Sequence, residues 1–126
     1  MQQQIINTPN APAPIGPYNQ AIKANNMLYV SGQIAINPAT GEVENETIEA
    51  EAQLVMKNIS AILDAANMGF DNVIKTTIFL TDMSLFAQVN QIYGSYFTGM
   101  FPARETVAVK GLPKNVNIEI SVIACL

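Results

Sequence analysis

The sequence predicts an α+β domain, a mixed β-sheet with two helices packed on one of its faces. Three observations carry that expectation. Two stretches, 46–68 and 85–97, place apolar residues at helical spacing along one stripe each. The segments around them are short, apolar and β-prone, and the order reads two or three strands, helix, strand, helix, two strands. A chain of 126 residues suits one domain, 1–126, with no internal repeat and no linker.

The chain opens into a Pro-rich loop, TPNAPAPIGPYNQ, in which four prolines restrain the backbone. Such a loop can hold Tyr18 with little entropy left to lose, and a rigid connector with Tyr18 packed at its end fits equally well. QAIKANNMLYVSGQIAI reads as a hairpin, because Asn25 and Asn26 tolerate positive φ at a turn and 27–36 is apolar and β-prone. Asn37-Pro38 with Gly41 marks another turn. Over 46–68, Ile48, Ala52, Val55, Met56, Ile59, Ile62, Leu63 and Ala66 form the first helical stripe, and Gly69 is its expected end. Strand 73–80 should put Ile74, Thr76, Ile78 and Leu80 on one face, with Val73, Lys75, Thr77 and Phe79 on the other. Asp82 or Ser84 caps the second helix, and Gly99 and Pro102 stop it. The last strands, 106–110 and 116–124, are joined by GLPKN and expected antiparallel.

Composition narrows the function. Apolar residues make up 49% and charged residues 13%, well below the quarter or so usual in soluble domains. The sheet face opposite the helices would carry Phe79, Val109 and Ile123 into water, so burial of that face against neighbouring subunits is expected. A net charge of -4 with five dispersed lysines offers no basic stripe for phosphates, which disfavours nucleic-acid binding. With no histidine and one cysteine, Cys125, a single chain cannot assemble a Zn site, a disulfide, or a Ser/His/Asp or Cys/His nucleophile. MQQQIINTPN lacks the features of an export signal and no stretch approaches ~18 apolar residues, so a cytoplasmic protein away from membranes is the default.

The only arginine, Arg104, lies where a Pro-led loop enters an apolar strand, FPARETVAV. A guanidinium there is suited to a carboxylate through two parallel hydrogen bonds, against the plainer reading of a surface ion pair. Glu119 alternates with Ile118 and Ile120 and should lie opposite the helix-packed face. Partial desolvation would raise its pKa toward the range useful for proton transfer, unless it is exposed at a sheet edge or paired with Lys110. Ser31 could donate to a bound carboxylate while Gly32 leaves room for it, and a bulge or tight packing competes with that account.

The blocks IGPYNQA, YVSGQIAINPATGEV, VIKTTIFLTDM, VNQIYGSYF, FPARETVAV and LPKNVNIEISVIA, in this order, resemble the RidA/YjgF family of small enamine/imine deaminases. The resemblance implies a chorismate-mutase-like α+β fold and a homotrimer with ligand clefts between subunits. It implies cofactor-free, metal-free hydrolysis of 2-aminoacrylate and related enamine/imine intermediates, released by pyridoxal-phosphate dehydratases, to 2-oxo acids and ammonia. Carried over by position, Arg104 clamps the substrate carboxylate and Glu119 orients and activates water. Tyr18, Ser31 and Gly32 line the pocket, Asn90 supports it, and the Thr106 backbone contacts the ligand. The chain departs from the family pattern with Glu at 105 and Thr at 106, where cysteine is frequent. Strand alternation should turn Glu105 away from Arg104, whereas folding back would occupy the guanidinium. Some family members are described as translation inhibitors or metabolic regulators, so a metabolite-binding regulator is the alternative; acidic charge and lack of histidine argue against a nuclease-like inhibitor.

Overall fold

A computed structural model describes residues 2–126. Strands β1 (Gln3–Ile6), β2 (Ala21–Ala24), β3 (Met27–Gln33), β4 (Val73–Leu80), β5 (Ala103–Ala108) and β6 (Ile118–Cys125) form one sheet in the order β1-β2-β3-β6-β4-β5. Helices α1 (Ile48–Ala65) and α2 (Phe86–Gly94) pack together on one face. β4 and β5 are parallel and every other pair is antiparallel, so the sheet is mixed, as expected.

Local chemistry explains most of these elements. Asn25 and Asn26 hold φ of 51° and 67°, the left-handed pair that a tight hairpin turn requires between β2 and β3. Thr47 caps α1 by accepting the Ala50 N–H at 3.0 Å, and Glu49 and Glu51 sit in the first turn, favourable against the helix dipole. The α1 stripe of Val55, Met56, Ile59, Ile62 and Leu63 is buried against Leu28, Ile118, Ile120 and Val122 of the sheet. Each such side chain contributes about 1.5–3 kcal/mol on burial, so this layer dominates the core.

Several expectations are corrected. Of the two or three strands expected before α1, the third is β1, whose four residues QQII are too short to signal a strand alone and pair along the free edge of β2. The α1 end is set by Asn67, at φ 58°, rather than by Gly69, which is extended and opens a short 3₁₀ turn. Ile74 does not join the helix-facing row: the register slips between Val73 and Lys75, leaving Ile74 48% exposed and Val73 buried. α2 is shorter than its apolar pattern and ends at Gly94, where Ser95 Oγ donates to the Ile92 carbonyl at 2.6 Å, well before Gly99 and Pro102. Asp82 accepts the Ser84 N–H and so caps the short 3₁₀ turn Met83–Leu85 that leads into α2, whereas α2 itself starts after Leu85 without a side-chain cap. The last two strands do run antiparallel but are not neighbours, because β4 lies between them.

Candidate active site

Glu119 sits on β6 beside Phe79 of β4, and its neighbours Ile118 and Ile120 point into the core, so its carboxyl emerges on the face away from the helices. There it lies on the bare backbone of Gly32. A Cβ built on Gly32 would stand 2.7 Å from Glu119 Cδ and 3.0 Å from Cγ. The register of β3 against β6 slips between Val30 and Gln33, so Ser31 and Gly32 form a bulge and the close approach at once. Burial pushes the Glu119 carboxyl above the usual carboxylate range. It has no ion-pair partner among the described residues, Lys110 included.

Glu119, Tyr18, Ser31 and Gly32 line one cavity of about 350 Å³. Tyr18 reaches it from the Pro-rich loop, where its hydroxyl accepts the Ile15 N–H at 3.3 Å. The Ser31 hydroxyl does not point a free donor at a ligand, contrary to expectation: it donates to the Asn19 carbonyl at 2.6 Å, tying the bulge to the loop.

Arg104 belongs to a second cavity, lined also by Asn90, Tyr93, Gly94, Phe101 and Pro102. Its Nη1 donates to Asn90 Oδ1 at 2.6 Å, and its guanidinium carbon stands 5.1 Å from the Tyr93 ring centroid and 5.5 Å from that of Phe86. The amide and the two rings orient the fork and leave its remaining N–H groups for an anion. Tyr93 is itself anchored, donating to Thr76 Oγ1 at 2.9 Å. Thr106, two residues along the same row of β5, carries a buried Oγ1 with no hydrogen-bond partner. Glu105 turns to the other face, as alternation predicts, where it pairs with Lys75 at 3.2 Å and accepts from Thr77 Oγ1 at 2.8 Å. It does not occupy Arg104.

The two half-sites lie on opposite faces of the sheet. Arg104 and Thr106 register with Thr76 and Ile78, which face the helices, whereas Glu119 registers with Phe79, which faces away. One chain therefore brings Glu119, Tyr18, Ser31 and Gly32 together, and Arg104 and Asn90 together, but not the two groups to each other.

Two residues that set this geometry escaped the sequence reading. Gln20 is 1% exposed; it accepts the Thr8 N–H at 2.8 Å and directs its amide nitrogen at the carbonyls of Thr8, Ala11 and Pro12 at 3.0, 3.2 and 2.9 Å. Prolines remove donors and leave loop carbonyls needing partners, and that was the available signal. Glu51 is fully buried on α1 and accepts from Asn117 N, Asn117 Nδ2 and Ile118 N at 2.8, 2.9 and 3.0 Å. It fixes the start of β6 just ahead of Glu119. No cluster of three His, Cys, Asp or Glu side chains able to hold a metal occurs among the described residues, and no helix there is long and apolar enough to cross a membrane.

Residues 8–126 match the protein family described as Endoribonuclease L-PSP. The chain is 54% identical over 121 residues to a Lactococcus lactis protein named putative regulator AldR, covering 96% of each. It is 43% identical over 122 residues to the Mus musculus protein named 2-iminobutanoate/2-iminopropanoate deaminase, covering 97% of this chain and 90% of the other. The crystal structure of E. coli TdcF with bound serine has a TM-score of 0.94 at 39% identity, covering 98% of both chains. The chain therefore belongs to the RidA/YjgF family, whose fold it shares.

Proposed function

We propose that this protein hydrolyses small 2-imino acids, and the enamines that tautomerise to them, at clefts formed between copies of the chain in a homotrimer. The observation that carries the reading is a half-buried carboxylate, Glu119, with its pKa raised by desolvation and its carboxyl laid on glycine backbone at a cavity wall. A carboxyl with its pKa raised in this way is suited both to take and to give a proton. Family membership supports the reading, as do a relative named as an imine deaminase and a related structure holding serine.

In the proposed reaction, Arg104 of one copy holds the substrate carboxylate, with Asn90 setting its fork and the Thr106 backbone nearby. Glu119 of another copy, with Tyr18, Ser31 and Gly32, faces the imine carbon. The enamine tautomerises to the imine, and protonation at nitrogen makes the carbon electrophilic. Glu119 takes a proton from water as the C–O bond forms, and passes it to the nitrogen of the resulting carbinolamine. The C–N bond then breaks as Glu119, ionised again, takes the hydroxyl proton and passes it to the departing ammonia, and the products are a 2-oxo acid and ammonium. Positioning, a desolvated acid and a fixed cation supply the catalysis.

A serine dehydratase generating 2-aminoacrylate provides the test, with 2-oxo acid release followed in competition with semicarbazide. Wild type should accelerate release, while Arg104→Ala and Glu119→Ala should each abolish the acceleration. Refolding the two variants together should restore part of it, because mixed assemblies contain clefts with both groups intact. No acceleration by wild type discards the enzyme. Binding of a 2-oxo acid without turnover would favour the second reading, a metabolite-sensing regulator, to which the relative named as a putative regulator lends support.

A further inference from the structure

β3 and β6 separate at Glu119. Their pairing ends at Gln33 opposite Ile120, after the slip at Ser31 and Gly32, while β6 keeps its register with β4 as far as Ile118. Beyond Gln33 the chain turns away, and Ile36 bridges to Val43 instead. The N–H of Ile118 and the carbonyls of Ile34 and Ile36 thus lose the partners that a continued ladder would supply, and in the interior they need others. α1 provides them. Its buried polar side chains are Glu51 and Asn58, 0% and 1% exposed. Placed at i and i+7, they stand about two turns apart and within about 20° of each other on one stripe. On the β6 side, Glu51 accepts the N–H groups of Asn117 and Ile118 at 2.8 and 3.0 Å. On the β3 side, Asn58 donates to the carbonyls of Ile34 and Ile36 at 3.2 and 3.0 Å.

We propose that Glu51 and Asn58 are a pair of positioning residues for Glu119, holding β3 and β6 apart by the amount that lays its carboxyl on Gly32. This inference rests on the imine-hydrolase reading and assigns the residues that stand behind its proton-transfer group. Glu119 lies between Ile118, held by Glu51, and Ile120, held by the ladder. Gly32 precedes Gln33, held by the ladder, and Ile34, held by Asn58. The contact between Glu119 and Gly32 therefore depends on both side chains of α1. Apolar residues in their place would leave donors and acceptors dry on either side of the gap, and the strands would shift to recover partners. A shift of about 1 Å at a catalytic group costs on the order of 100-fold in rate.

The test measures kcat and KM for imine hydrolysis in Glu51→Asp, which draws the acceptor back by one methylene, and in Asn58→Leu, which keeps the bulk and removes the donor. Each should lower kcat about 10-fold to 100-fold and change KM less than about threefold, because the substrate carboxylate is held by Arg104. Glu51→Gln keeps an acceptor for the two backbone N–H groups and should hold kcat within about threefold of wild type. Gly32→Ala should cost about 100-fold alone but less than about tenfold when added to either variant, since both changes displace the same carboxyl. Ile62→Ala, an apolar change on the same helix, should lower Tm and leave kcat unchanged. Either folded variant decides the outcome by itself. Wild-type kcat in Glu51→Asp or Asn58→Leu, losses that multiply with that of Gly32→Ala, or a loss in Glu51→Gln equal to that in Glu51→Asp overturns this inference and leaves the hydrolase reading intact. Failure of wild type to hydrolyse any imine removes both.

Discussion

Gly32→Ala isolates the role of Glu119 from the stability of the fold. A methyl group there would sit 2.7 Å from Glu119 Cδ and 3.0 Å from Cγ, where ordinary contact needs about 3.5–4 Å between carbons. The carboxyl must therefore retreat by about 1 Å, and a misplacement of that size in a catalytic group costs on the order of 100-fold in rate. The backbone at Gly32 is not in the left-handed region, so alanine is conformationally acceptable and gains about 0.5–1 kcal/mol over glycine within a strand. The obstructing atoms are the far end of a flexible side chain, which can swing away without moving the sheet. The expected result is a Tm within a few degrees of wild type, an intact far-UV spectrum, and kcat for imine hydrolysis reduced about 100-fold with a smaller change in KM. An alanine variant with wild-type kcat would refute the reasoning, because the glutamate conformation over Gly32 would then not be the working one.

Glu119→Gln should raise Tm at neutral pH and leave it unchanged in acid. Burial raises the pKa of this carboxyl in the folded chain, so the neutral form carries no penalty at low pH, and stability is lost as pH rises through the raised pKa. Thermal melts across that range would show the two curves converging in acid; parallel curves would contradict the assignment. Glu105→Ala should change kcat/KM less than about twofold and leave the thermal midpoint essentially unchanged, since its exposed pair with Lys75 contributes little and lies across the sheet from Arg104. A large gain in activity would mean that Glu105 competes for the guanidinium. Glu51→Ala should destabilise the protein by about 3–5 kcal/mol in denaturant titration, because it leaves the donors of Asn117 and Ile118 at the start of β6 without their acceptor.

The legible parts of this chain were those governed by local chemistry. The Asn25–Asn26 turn, both amphipathic helices and the alternation that separates Glu105 from Arg104 each depend on a few adjacent residues. Strand order was not legible, because β6 enters between β3 and β4 through long-range pairing that no local pattern records. The slips at Ile74 and at Ser31–Gly32 were invisible for the same reason, since a bulge is defined by the partner strand. Among site residues, Arg104 and Glu119 stood out as charges in apolar strands. Gln20 and Glu51 did not, because a polar residue on a loop or helix reads as solvated until its buried partners are known.

The split between the two half-sites and the poverty of surface charge have a common physical basis. Tyr29 and Val107, 48% and 41% exposed, share the open face of the sheet with Phe79 and Ile123, the face from which Glu119 emerges. Phe101 is exposed in the Arg104 cavity, and Met100, which precedes it in the chain, is exposed as well. Apolar surface is thus uncovered next to each half-site, where a monomer would gain nothing from it and a neighbour would gain burial. A chain that placed both charges in one cavity would pair them, and each would neutralise the other before a ligand arrived. Separating the acid and the cation on opposite faces keeps both available, and in the proposed cleft they meet only across a substrate whose carboxylate pairs with one while its iminium approaches the other.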